Sequence, residues 1–291
     1  MTEIVMIGCN KLTSLTCALC MPFLDIERIH LVDDDPVVAK RVKLELGQMD
    51  LEPEISVYHG IEGVPPNVTL AVYAQSINSL LDVKTAKKYI PYARSFSGVW
   101  ITTTYPVDTL NWFFSHYIPH EKCIGFGNQI DSARVDAAVR ELSPDLMAVA
   151  FGEHDGYFVP IIRDGNLNPD NDAACPKDND WRDIFYPRIP KQVGFIAPAY
   201  HLTNLISSVL DEDYSRWHPA SVITDGAFLQ ESYGFGWDVM GGISIGLSAH
   251  IGGDGVIEYD DPPMDAWEKA KMRSAMASID AKNRSILEWI E

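Results

Sequence analysis

A chain of 291 residues exceeds the size at which one hydrophobic core usually keeps growing, so two domains sharing a cleft are the expectation. With 46% hydrophobic and 22% charged residues it has a globular composition, which excludes a disordered or collagen-like chain. Its 41 acidic against 23 basic side chains, a formal charge of −18, argue against nucleic acid as a partner and leave any anionic ligand to a few local groups such as an arginine or a helix N-terminus.

Ile4 to Ile7 is an apolar run ending in Gly8, followed by Leu12, Leu15, Ala18, Leu19 and Phe23 at helical spacing, which reads as strand, turn and helix. Ile29 to Val32 is a second buried strand closed by Asp33-Asp34-Asp35, and Val37 to Leu46 resumes a helix. Ile55 to Tyr58, Thr69 to Tyr73 and Val99 to Thr103 are further strands, with a polar helical stretch around Asp82 to Tyr92. Strands alternating with helices imply a parallel sheet covered on both faces. Beyond Cys123 the texture changes: Asp131 to Leu142 is a helix, and Met147 to Phe151 is a strand leading to Gly152-Glu153-His154. A domain boundary is placed near residues 120–126. Residues 166–183 read as a polar surface loop, Ala199 to Leu210 as a helix, Val239 to Leu247 and Gly255 to Tyr259 as strands of a second sheet, and Pro263 to Ile290 as a closing helix.

Five cysteines are an odd number without the spacing of a disulfide scaffold, which points to a reducing, cytoplasmic setting. The first residues read as a buried strand carrying Glu3 rather than as a targeting segment, and no apolar stretch reaches the length of a membrane span, so no membrane partner is expected.

The turn from Gly8 to Thr13 stands where a dinucleotide-binding Gly-x-Gly-x-x-Gly loop would stand, yet only the first glycine is present. Asn10 and Thr13 bring side chains to positions where backbone must approach a pyrophosphate or pack helix on strand, so cofactor affinity should be lowered. Asp33, at the end of the second strand, is placed to accept from a ribose diol and to disfavour a 2′-phosphate, favouring NAD over NADP. A plain strand-to-helix turn with an acidic strand end and no ligand is the other reading. Asp131 and Arg134, three apart on a helix, share a face. Arg134 can grip a carboxylate through two parallel bonds, and His154 titrates near neutral pH, where an aspartate would hold its tautomer. Cys17-x-x-Cys20 lies inside a helix with no second pair and reads as core packing. His116 and His120 are separated by Pro119, which breaks metal-ligand geometry, and the Asp33-Asp34-Asp35 run is better read as ribose contact or solvated surface, so no metal is expected.

Ile130-Asp131-Ser132-Ala133-Arg134 and Gly152-Glu153-His154 resemble the L-lactate/malate dehydrogenase family, as do Tyr105-Pro106-Val107-Asp108 and Ala197-Pro198-Ala199, in order along essentially the whole chain. The resemblance implies an α/β fold: a Rossmann-type, doubly wound parallel sheet over residues 1–123 and a C-terminal α+β catalytic domain over residues 124–291. It implies His154 and Asp131 as the proton-transfer pair, Arg134 as substrate anchor with Tyr105 beside it, and NAD contacts at Gly8, Asn10, Lys11, Leu12, Asp33 and Ala74. The expected reaction moves a hydride between nicotinamide and a small 2-hydroxy or 2-oxo acid, in a homodimer or homotetramer. The alternative is a catalytically degenerate relative serving as a binding or assembly module. It draws on three departures: the altered glycine turn, Tyr105 where the family has a substrate-binding asparagine, and a segment from Ala74 to Tyr92 without the family's loop arginine.

Overall fold

The computed structural model describes residues 2–50, 53–75, 80–142, 144–154, 156–164, 194–211, 215–234, 242–260 and 263–290. The N-terminal half alternates strand and helix: β1 (Glu3–Ile7), α1 (Lys11–Cys20), β2 (Arg28–Asp33), α2 (Pro36–Gly47), β3 (Glu54–His59) and β4 (Leu70–Tyr73). After a 3₁₀ segment (Leu80–Tyr89) come α3 (Ile90–Ser95), β5 (Val99–Thr102), α4 (Val107–Phe114), β6 (Cys123–Gly125) and α5 (Asn128–Leu142). The C-terminal half holds β7 (Leu146–Gly152), β8 (Phe158–Asp164), α6 (Ile196–Leu210), β9 (Arg216–Thr224), α7 (Gly226–Tyr233), β10 (Ile243–Gly252), β11 (Gly255–Asp260) and α8 (Ala266–Ile286).

Strands β3-β2-β1-β4-β5-β6 run in that order and all parallel. The order reverses between β1 and β4, which opens a crevice at their C-terminal ends. The near-continuous apolar character of these strands follows from helices covering both faces. In β1 alternate side chains enter different cores: Ile4 and Met6 join Cys17 and Cys20 of α1, while Val5 and Ile7 join Trp100, Phe113 and Phe114. That second core is aromatic, with the Phe114 ring 4.7 Å from Trp100 and 4.9 Å from Tyr73 between centroids, edge-on or tilted contacts that add about 0.5–1.5 kcal/mol each beyond burial.

The C-terminal strands expected to form a separate sheet instead join the parallel one. β9 meets β6 through a single residue pair, Ser221 with Gly125, and the antiparallel series continues as β10, β7 and β8, with β11 on the far part of β10. Other expectations shift at their ends. The closing helix begins at Ala266 rather than Pro263, because Asp265 caps it: Asp265 accepts from Glu268 N at 2.8 Å and Glu268 accepts from Asp265 N at 2.8 Å. The polar stretch before Tyr92 is a 3₁₀ segment to Tyr89, and the α-helix restarts around Pro91, whose missing N–H costs nothing in a first turn. The strand read from Val239 is described only from Ile243, and the loop read at 166–183 lies outside the described residues together with Cys175. No described helix is long and apolar enough to cross a membrane.

Candidate functional site

Gly8 follows β1, Asp33 ends β2, Ala74 follows β4, Tyr105 follows β5, and α5 follows β6. Because these strands are parallel, all five positions lie along one edge of the sheet, the edge where α/β proteins place ligands.

At the β1–β4 crevice Gly8 adopts φ +97°, and a Cβ there would stand 2.6 Å from Ala74 O, so only glycine lets the two strand ends approach. Asp33 is pinned from both sides, its Oδ2 accepting from Cys9 N at 2.8 Å and its Oδ1 from Asp35 N at 2.9 Å. Its neighbours are also engaged: Asp34 pairs with Lys88, and Asp35 caps α2 by accepting from Val37 N at 2.8 Å. Asn10 and Thr13 replace the missing glycines with a reciprocal cap. Asn10 Oδ1 accepts from Leu12 N and Thr13 N, while Thr13 Oγ1 accepts from Asn10 N at 2.9 Å. The buried Thr13 hydroxyl lies 2.9 Å from Gly8 O, to which it donates, so helix and strand stay close despite the added side chain. Leu12 is half-buried and Lys11 exposed.

The second cluster forms around the start of α5. Asp131 lies in its first turn, where the helix dipole favours a carboxylate. Its Oδ2 is 2.7 Å from His154 Nδ1, and its Oδ1 accepts from Arg134 Nη1 at 3.3 Å. His154 and Asp131 are almost fully buried, whereas the Arg134 side chain keeps 18% of its surface exposed. The imidazole packs against the backbone just before α5: a Cβ on Gly127 would stand 2.2 Å from His154 Cγ. The structure therefore brings His154, Asp131 and Arg134 together, although 23 residues separate the first two.

Three groups without a sequence-derived role support this cluster. Asp108 on α4 accepts from His154 N at 2.9 Å and contacts Ser221 Oγ at 2.5 Å. Burial pushes its carboxyl up to about 7, against the opposing bonds from Ser221 and His154. Ser221 Oγ, which donates to Asp108, also lies 2.9 Å from Asn128 Oδ1. The third group is Glu153, buried beside His154, which pairs with Lys282 of α8 and accepts from Ser278 Oγ at 3.2 Å and Tyr157 N at 3.1 Å. Lys282 Nζ lies 6.0 Å from the centre of the partly exposed Tyr105 ring, which places Tyr105 on the α8 side of the cluster. Asp108 stood inside a recognised motif, but Ser221, Ser278 and Lys282 carry no local signal.

Cys9, Cys17, Cys20 and Cys123 are free and buried, and burial pushes the Cys9 and Cys20 thiols up to about 12, in keeping with core packing rather than redox chemistry. Among the described residues no group of His, Cys, Asp and Glu is arranged to hold a metal ion.

No protein-family model matches the chain. In sequence it is 28% identical to L-lactate dehydrogenase 1 of Enterococcus faecalis, over 63% of this chain and 59% of that protein. It is also 28% identical to an L-lactate dehydrogenase of Streptococcus mutans, over 64% and 60%. The chain thus spans about three fifths of the length of the curated relatives it matches. In structure it resembles a lactate dehydrogenase from a deep-sea metagenome library, with a TM-score of 0.78 at 17% identity over 98% of both chains. It likewise resembles the Plasmodium falciparum malate dehydrogenase in complex with NADH, with a TM-score of 0.80 at 18% identity over 100% of both.

Proposed function

We propose that this chain, a divergent relative of the lactate and malate dehydrogenases in sequence and fold, is an NAD-dependent oxidoreductase that interconverts a small 2-hydroxy acid and its 2-oxo acid. The observation that carries the reading is the buried His154–Asp131 contact of 2.7 Å, with Arg134 bound to the same carboxylate. Residues 1–123 hold the dinucleotide and residues 124–291 supply the proton and carboxylate chemistry.

The residues at the β1–β4 crevice fit the ribose end of NAD. Asp33 is held rigidly by two backbone amides, remains partly exposed, and retains a second lone pair on each oxygen for a diol. The diphosphate end is where the residues depart from the usual pattern, since Leu12 N and Thr13 N already face the Asn10 carboxamide. NAD, when bound, accepts or delivers the hydride. The protein's own share of the chemistry lies with His154, Asp131 and Arg134. Asp131 holds Nδ1 of His154 and stabilises the imidazolium, so proton exchange with the substrate oxygen falls to Nε2. In reduction His154 gives that proton to the 2-oxo group; in oxidation it takes the proton of the 2-hydroxyl. Arg134 holds the substrate carboxylate with the directional fork that a lysine lacks. Tyr105, with Lys282 Nζ 6.0 Å from its ring centre, stands where the family has a substrate-binding asparagine. The four buried, free thiols favour a cytoplasmic setting, and the resemblance favours a homodimer or homotetramer.

Titration of NADH fluorescence with the protein, followed by NADH oxidation with a panel of 2-oxo acids, tests the proposal. Binding and turnover are expected, with turnover lost and binding kept in His154→Ala. Cofactor binding without turnover of any 2-oxo acid would point instead to the binding or assembly module.

A further inference from the structure

The crevice where the strand order reverses is bridged by one side chain. Asn10 Oδ1 accepts from Leu12 N at 2.9 Å and Thr13 N at 3.2 Å, both first-turn amides of α1, while Asn10 Nδ2 donates to Ala74 O at 2.7 Å across the gap between β1 and β4. A diphosphate lying on this helix end would use those same amides, because the first turn carries the helix's unsatisfied donors and the positive end of its dipole. A carboxamide oxygen is a neutral acceptor in the same place, so the Asn10 side chain and a phosphate oxygen exclude one another.

We infer that Asn10 competes with the diphosphate of the dinucleotide for the N-terminus of α1, and so sets the affinity of this site; the inference rests on the dehydrogenase reading above. The backbone of Asn10 itself does not hold the side chain in place. Asn10 is exposed and has φ −104° and ψ −175°, extended values open to any residue, so its side chain leaves by rotating about its own bonds. What the exchange costs is the cap and the Ala74 bond. Losing a cap of this kind and one further hydrogen bond corresponds to about ten- to thirtyfold in affinity. The cost falls only on ligands that carry the diphosphate, since Asp33 is pinned by Cys9 N and Asp35 N independently of Asn10.

The test is NADH affinity, read by fluorescence titration of the full chain as wild type, Asn10→Gly, Asn10→Ala and Asn10→Asp. Glycine serves nearly as well as asparagine at a cap position, and alanine, which removes the competing oxygen by another route, guards against a folding defect peculiar to glycine. Asn10→Ala should bind NADH about ten- to thirtyfold more tightly than wild type, and Asn10→Gly about three- to tenfold, since glycine already offsets most of the lost cap. Asn10→Asp, which keeps the cap and adds a negative charge facing the phosphates, should bind more weakly. Melting without NADH should show Asn10→Gly within a few degrees of wild type. If wild type binds NADH and neither Asn10→Gly nor Asn10→Ala tightens that binding, the competition is overturned while the dehydrogenase reading stands. If no variant binds millimolar NADH, both fall together.

Discussion

Asp108 stands under His154 with its carboxyl pushed up to about 7 by burial, and Glu153 adds to the rise while Ser221, the His154 backbone amide and the His154 charge oppose it. Between about pH 4 and pH 7 the folded chain therefore holds a proton that the unfolded chain has released, so stability falls as pH rises through that window. The loss from this one group reaches up to about 4 kcal/mol. Urea denaturation across the window should show a smaller fall for Asp108→Asn than for wild type, and parallel profiles would refute the assignment. Asp131→Asn tests the neighbouring carboxylate: kcat should drop about a hundred- to ten-thousandfold with little change in NADH affinity, measured by steady-state kinetics and fluorescence. His154, Asp131 and Arg134 were legible in the sequence because each lies in a short motif with distinctive chemistry. The Asp108 contact with His154 N, spanning 46 positions, and the Glu153–Lys282 pair, spanning 129, leave no trace in local spacing.

Elements carry the site by how closely they approach. The start of α5 lies against the His154 ring because Gly127 has no side chain. Gly127→Ala should push the imidazole away from Asp131 and lower kcat at least a hundredfold, since misplacement on the ångström scale is that costly, while circular dichroism stays native. A near-normal kcat would show that the approach is slack. The aromatic layer formed by β4, β5 and α4 holds the sheet edge that bears Ala74 and Tyr105. Phe114→Ala should cost about 3–5 kcal/mol in chemical denaturation. The alternating burial of β1 and the helical spacing after Gly8 could be read directly, because periods of 2 and 3.6 are properties of the local chain. The closing helix starts three residues beyond the point its apolar spacing suggests, because the Asp265–Glu268 cap decides where it begins.

At the scale of the whole molecule, a charge of −18 repels anionic ligands at long range. Added salt screens that repulsion, so stopped-flow measurements should show NADH associating faster as ionic strength rises from low to physiological values. A rate that falls with salt would mean a positive patch steers the cofactor instead. The sequence by itself determined the charge, the alternation of strands and helices in the N-terminal half, and which histidine, aspartate and arginine to examine as a cluster, since all of these depend on composition or on neighbours a few positions apart. Only the tertiary structure decided that the C-terminal strands join the parallel sheet through Gly125 and Ser221, and that Asn10 reaches Ala74, 64 residues away, to occupy the crevice between β1 and β4. Strand order and register bring such residues together, and neither is written in the spacing of a single segment.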